Sequence, residues 1–444
     1  MMNPPVTGRA AGVAPDSKHK LFSREHLLPF FLVTALFFLW GIPNNLNDVL
    51  IRQFMKSFDI TRLKAGLVQS AFYFGYFAFS TPAALTMRRF GYKTGLLTGL
   101  MLYGAGCLLF WPAALAQSYS FFLFALFVIA SGLAFLETGA SPFIAQIGDP
   151  ESTERRLNFS QAFNPLGSIT GVLVGTTFIF SGVELNTQQI QALKDAGKYA
   201  GIIRGETMRV ITPYLVLGAL VFLWAILIAR TKFPKLGEEQ EPSHEGRAHG
   251  SYRELFRYPH FLQAVIAQFF YVGAQVGTWS YFIQYVQQYV HEPEKVAGYF
   301  LTGTLVAFAL GRFAATYLMQ YIRPNKLMGL YSIINVILAA ISIFSPGWLG
   351  VWSIFLTSFF MSLMFPTIFA LGLRDLGPNT KLGGSLLVMA IIGGAVFTPL
   401  MGLVSEATSS MAKSMIVPLA CYVFITYFSY VGSRPRPHAT ETAG

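Results

Sequence analysis

Residues 39–50 read LWGIPNNLNDVL, inside an apolar run that extends from 27 to 51. About 20 mostly apolar residues suffice for a helix to cross a bilayer. Yet this run holds Pro43, Asn44, Asn45, Asn47 and Asp48. Hydrocarbon satisfies none of these groups, and polar or irregular helix is tolerated at membrane depth only where it faces protein or a water-filled cavity. The stretch therefore predicts a membrane helix turned toward an interior cavity, in a protein with several such helices.

The composition agrees. Of 444 residues, 53% are hydrophobic and only 12% are charged, against roughly 25% charged in a soluble domain. The two cysteines, Cys107 and Cys421, both lie in apolar runs and give neither a disulfide framework nor a metal-ligand spacing. Residues 1–26 are polar and lack the short apolar core and cleavage site of a signal peptide. The first apolar run reads as an uncleaved span.

Runs of spanning length number about twelve. Six lie near 27–51, 63–87, 93–115, 119–147, 158–182 and 210–232; six more lie near 259–288, 296–322, 326–345, 349–373, 382–405 and 413–432. They are too long, and alternate too little, for a membrane barrel. The predicted organisation is a tail at 1–26, a six-helix bundle at 27–232, a polar linker at 233–258, a second bundle at 259–432 and a tail at 433–444. MRRFGYK at 87–93 and MQYIRPNK at 319–326 join the second and third helix of each half, a faint internal repeat of the kind that parallel six-helix halves carry. With the amino terminus inside, inner loops and tails hold about 21 of the 32 Lys and Arg residues, so both termini are expected in the cytoplasm. Basic residues beside anionic lipid heads account for the net charge of +11 without nucleic acid.

Asp48 and Glu137 are the acids that stand well inside apolar runs. Intramembrane ionisable groups are expensive and mark ion or substrate paths by default. At helical spacing Asn44, Asn47 and Asp48 share a face, with Asn45 a quarter-turn away. Pro43 removes a backbone hydrogen bond and is expected to kink the helix. Asp48 reads either as a titratable group on a cavity or as part of a polar seam between helices. Glu137, in SGLAFLETGASPFIAQ, stands among small residues; it reads as a hydrogen-bond acceptor for hydroxyl groups or as an interhelical bond. Arg312 lies about 15 Å from the end of its span at 1.5 Å per residue, placed to balance an acid, to touch substrate or to line a vestibule. Gln161 and Asn164 precede Pro165, and Gln268, Gln275 and Trp279 form one helical stripe. Amides both donate and accept, and an aromatic ring suits the C–H face of a sugar; interhelical packing is the plainer alternative. HEGRAH at 244–249 lacks the H-E-x-x-H spacing of a zinc site, so no metal is expected. No protease constellation is present, which speaks against an enzyme, and neither tail is long enough for the output domain of a sugar sensor.

The segments FFLWGIPNNLNDVL, GLVQSAFYFGYF, GLAFLETGASPF, RLNFSQAFNPLGS, FYVGAQVGTWSYFIQY, MFPTIFALGLRDLG and VMAIIGGAVFTPLMG, in that order, resemble the fucose permease group of the major facilitator superfamily, the fucose–galactose–glucose proton symporters. The resemblance covers about 25–432. It implies an all-α membrane protein of the major facilitator fold, with twelve transmembrane helices in two six-helix bundles, in a bacterial inner membrane. It also implies a central site for a small monosaccharide, alternating access driven by a proton gradient, no cofactor and a functional monomer among membrane lipids. The family's two functional acids match Asp48, for proton coupling, and Glu137, for substrate. Its polar site residues match Gln161, Asn164 and Gln275. The superfamily loop G-x-x-x-D-R-x-G-R is replaced by ALTMRRFGYK, with Ala84 and Arg88 in place of Gly and Asp, as in the fucose branch. L-Fucose or a related monosaccharide is the implied substrate, with Gln275 for its hydroxyls and Phe270, Tyr271 and Trp279 as an apolar wall for its methyl group. Glucose, galactose or N-acetylglucosamine, and coupling to Na⁺, remain open.

Overall fold

A computed structural model describes residues 27–147, 156, 159–185, 187–234, 252–376 and 379–434. The expected tail at 1–26, residues 235–251 of the linker with the HEGRAH stretch, and 435–444 lie outside the described residues. Among the described residues the chain is all helical. Twelve long segments follow one another: α1 (Leu27–Phe58), α2 (62–90), α3 (92–115), α4 (Tyr119–Gln146), α5 (Phe163–Val174), α6 (Ile211–Arg230), α7 (Pro259–Val290), α8 (Glu294–Leu318), α9 (Pro324–Phe344), α10 (Trp348–Leu373), α11 (Gly383–Thr408) and α12 (Met411–Gly432). Shorter helices at Thr187–Asp195 and Tyr199–Met208 lie between α5 and α6.

Ten of the long segments are apolar enough to cross a membrane by composition alone. The exceptions are α2 and α7. α7 carries six glutamines in 32 residues, and it lies at the centre of the molecule against α1, α10, α11 and α12. A central helix has protein and cavity around it, so it tolerates polar groups that a lipid-facing helix does not. Large apolar side chains such as Phe74, Phe124, Phe313 and Phe344 are exposed instead, as lipid-facing positions require.

Local chemistry sets the turns. Thr61 and Ser118 cap α2 and α4 with side-chain oxygens that accept from Lys64 N and Phe121 N, satisfying free amides of the first turn. α2 reverses into α3 at Gly91, whose φ of 82° is open to glycine and strained for other residues. α1, by contrast, runs unbroken from Leu27 to Phe58 with Pro43 inside it.

The helices cross between the first six and the last six at α2–α11, α5–α8 and α1–α7. Within the first six, α1 and α5 approach closely. A Cβ on Gly167 would meet the Phe38 carbonyl, one on Gly171 the Ile42 carbonyl and one on Gly41 the Asn164 carbonyl. Small residues one turn apart let helix backbones touch, which is the means of association left when lipid removes the hydrophobic drive.

That contact is testable. Gly167→Val should destabilise the protein by about 1–3 kcal/mol through overpacking, seen as a lower melting temperature in detergent. Gly201→Val, at a glycine with open space around it, is the control and should lose far less. Equal losses in the two variants would show that the α1–α5 crossing tolerates bulk.

Candidate functional site

A cavity of about 460 Å³ lies where α1, α2, α4 and α5 face α7, α8, α10 and α11. Asp48 is 2% exposed at its wall. Its Oδ1 accepts from Gln69 Nε2 on α2 and from Ser280 Oγ on α7, each at 2.9 Å. Its Oδ2 accepts from Asn45 Nδ2 at 3.2 Å. Gln69 Nε2 also donates to Ser280 Oγ at 2.9 Å. The three groups close a triangle that joins a helix of the first six to one of the last six.

Glu137, half-buried on α4, also lines the cavity. The Tyr76 hydroxyl lies between its carboxylate and Asn44 Oδ1, 3.4 Å from the latter. Gln161 and Asn164 come from the start of α5 and Gln275 from α7. Asn164 Nδ2 donates to the Phe37 carbonyl at 3.4 Å. Trp279 lines the cavity, donates Nε1 to Ser358 Oγ at 3.0 Å and stands edge-on to Phe308 with ring centres 5.2 Å apart. Gln161 and Gln275 face the cavity with amides able to donate and accept, and aromatic rings bound it, a surface suited to a neutral polyhydroxylated ring.

Four expectations need correction. Asn47 does not line the cavity; it is fully buried, with neither amide atom hydrogen-bonded. Successive residues are about 100° apart around a helix, and the wall includes Asn44, Asn45 and Asp48, which leaves Asn47 outside that arc, beyond Asn44. Arg312 has no carboxylate partner among the described residues. Its guanidinium sits 5.0 Å from the Phe308 ring centre, and Nε donates at 3.4 Å to the Ser362 carbonyl, whose helical partner four residues on is Pro366, which has no N–H. Phe270 packs against Phe397 and Phe424, away from the cavity. Gln268 is likewise buried off the wall, its amide unbonded.

Sequence reasoning passed over Gln69, Tyr73, Tyr76 and Ser280. The first three lie on the cavity wall at spacings of four and three, one helical stripe, and this was a usable signal. Ser280 carries none, because serine is common in membrane helices.

Beyond Asp48 the two sets of six helices are closed against each other at one end. Lys56 Nζ lies 3.1 Å from Glu294 Oε1 and 3.3 Å from Glu206 Oε2. Both glutamates are nearly inaccessible, at 0% and 5%. Arg62 donates to Ser405 Oγ at 2.5 Å and Gln288 Oε1 at 3.1 Å, and Glu184 accepts from Gln287 Nε2 at 2.7 Å. At the other end the cavity wall includes Arg312, Thr316 and Pro366, which also border a second cavity of about 760 Å³.

Twelve helices around a polar central cavity, with a buried carboxylate at the junction of two six-helix sets, define a multi-pass membrane transporter. The sequence profile described as Major Facilitator Superfamily matches residues 29–384. The chain is 42% identical over 411 residues to the L-fucose-proton symporter of Escherichia coli, covering 92% of this chain and 93% of that one. It is 36% identical to the L-fucose-proton symporter of Haemophilus influenzae, over 93% and 98% of the two chains. A glucose/galactose transporter of Brucella abortus is 33% identical over 90% and 93%. A crystal structure of a transporter of the superfamily in the outward conformation superposes with a TM-score of 0.68 at 41% identity, covering 93% of this chain and all of that one. The chain belongs to the major facilitator superfamily and, within it, to the group of these sugar transporters.

The half-buried Lys56 at the closed end yields a prediction. Lys56→Met leaves Glu206 and Glu294 buried without their lysine, a loss of about 3–5 kcal/mol. Melting temperature in detergent should fall accordingly, and Lys56→Met/Glu294→Gln should recover part of the loss. Additive losses in the double variant would remove the pair as a structural tie.

Proposed function

We propose that the protein imports L-fucose, or a closely related monosaccharide, together with a proton by alternating access across a bacterial inner membrane, as a monomer with no cofactor. The carrying observation is the Asp48 carboxylate, buried at the cavity and bonded to Gln69 of one half and Ser280 of the other. In this reading residues 27–232 and 259–432 are the two rocking bundles. The excess of Lys and Arg in loops at the Arg323 end supports a cytoplasmic position for that end and for both termini. The closed Lys56 end is then the outer one, and the state is inward-facing.

The roles follow from the chemistry. Ionised Asp48 accepts strong bonds from both halves and holds the outer end shut. A proton on Asp48 removes negative charge from that junction, so the tie weakens and the outer end can open. Glu137, Gln161, Asn164 and Gln275 take the ring hydroxyls, and Tyr271 and Trp279 offer the apolar wall for a C6 methyl. One proton entering down 100 mV supplies about 2.3 kcal/mol, enough for about fiftyfold accumulation.

Two experiments follow. Asp48→Asn, which mimics the protonated acid, should abolish concentrative uptake into proteoliposomes under an inward proton gradient while sugar exchange persists. Concentration of sugar by that variant would assign the proton to another group. In wild-type vesicles L-fucose should compete best against labelled L-fucose, followed by D-arabinose and L-galactose, which share its ring-hydroxyl pattern. A single apolar contact discriminates by only about 1–3 kcal/mol, so preference and not exclusion is expected. Stronger competition by glucose than by D-arabinose would move the substrate to the glucose side of the group, and sodium dependence at fixed pH would replace the coupling ion.

A further inference from the structure

The second cavity, about 760 Å³, is built differently from the first. Its walls come from α8, α9, α10 and the end of α12, all from the last six helices. Among the described residues it is therefore a recess walled by one bundle, and it meets the central cavity at Arg312, Thr316 and Pro366.

Five cations converge on it: Arg312, Arg323, Lys326, Arg374 and Arg434. Among the described residues no carboxylate lines it and none of the five makes an ion pair. A general excess of inner-side Lys and Arg predicts basic residues scattered over a rim. It does not predict five converging on one recess. α9 begins here with Pro324 at its first turn, and Asn325 and Lys326 of that turn are in the wall. The free amides of a helix start add to the attraction for an anion.

The recess also sits at a defined depth. Tyr317 and Tyr321, exposed and with hydroxyls 3.3 Å apart, close α8 just beside it. Exposed tyrosines at span ends mark the level of lipid headgroups. From there the outer face of α9 runs into the membrane as Leu330, Ile333 and Ile337, all exposed.

We propose that this recess binds a phosphate ester, with the cations around the phosphate. The headgroup of an anionic phospholipid is the source that the apolar face of α9 favours, since acyl chains would lie along Leu330, Ile333 and Ile337. A soluble phosphate ester shares the chemistry but leaves that face unused.

The test is binding, so it does not depend on the transport reading above. The full-length protein in neutral detergent is titrated with short-chain phosphatidylglycerol, with glycerol phosphate and with short-chain phosphatidylcholine, at constant ionic strength, and its melting temperature is followed. Phosphatidylglycerol should raise the melting temperature saturably and phosphatidylcholine should not. Each surface cation contributes about fivefold to such binding, so Arg323→Gln/Lys326→Gln/Arg374→Gln should raise the half-saturating concentration about 100-fold. Arg230→Gln, a basic residue at the same end of the molecule and outside the recess, should leave it unchanged. Stabilisation by glycerol phosphate at the same concentrations as the lipid would assign the site to a soluble ester. Equal response to the two lipids, or an unchanged half-saturation in the triple variant, would overturn the proposal.

Discussion

A carboxylate held out of water needs its lone pairs filled, and Asp48 fills them from both halves of the molecule. Gln69 on α2 and Ser280 on α7 share one of its oxygens at 2.9 Å each, and Asn45 serves the other. Much of the surrounding architecture follows from that demand. α2 and α7 must carry polar residues at membrane depth, which is why these two spans are the least apolar of the twelve. They must also sit beside each other's bundle, where protein and cavity replace lipid. The α1–α7 and α2–α11 crossings supply that position.

A second ionic layer lies beyond the first. Lys56 and Arg52 bring two cations together with the nearly buried anions Glu206 and Glu294 at the closed end. Such clusters contribute little net stability once desolvation is counted, yet breaking one is costly. Their usefulness lies in that asymmetry. The charges are well served when the end is closed and can be served by water when it opens, while a half-open arrangement serves them poorly. A cluster of this kind favours two discrete states over a continuum.

The sequence made much of this legible. Twelve apolar runs and two displaced acids are unambiguous signals, because lipid penalises every exception. Asp48, Glu137, Gln161, Asn164, Gln275 and Trp279 all line one cavity. Less legible was what depends on helix rotation or on distant partners. Asn47 and Asn45 are two residues apart in a polar stretch, and only rotation decides which reaches the cavity. Arg312 invited an acid partner, but the Phe308 ring and the Ser362 carbonyl, left without a helical N–H by Pro366, took that place. Glu206 and Glu294 stand near span ends, where sequence reads them as wetted; the packing of opposite bundles buries them. Ser280 is intelligible only beside Asp48, 232 positions away.

The glycine contact between α1 and α5 has a mechanical side. With Gly41, Gly167 and Gly171 letting backbone rest on backbone, little soft side chain lies between the two helices to absorb displacement. α1 carries Asp48, and α5 begins beside Gln161 and Asn164. A force applied at the amides is thus delivered to the carboxylate through a stiff plate, with little lost to rotamer changes on the way. Stiffness here is obtained by leaving side chains out.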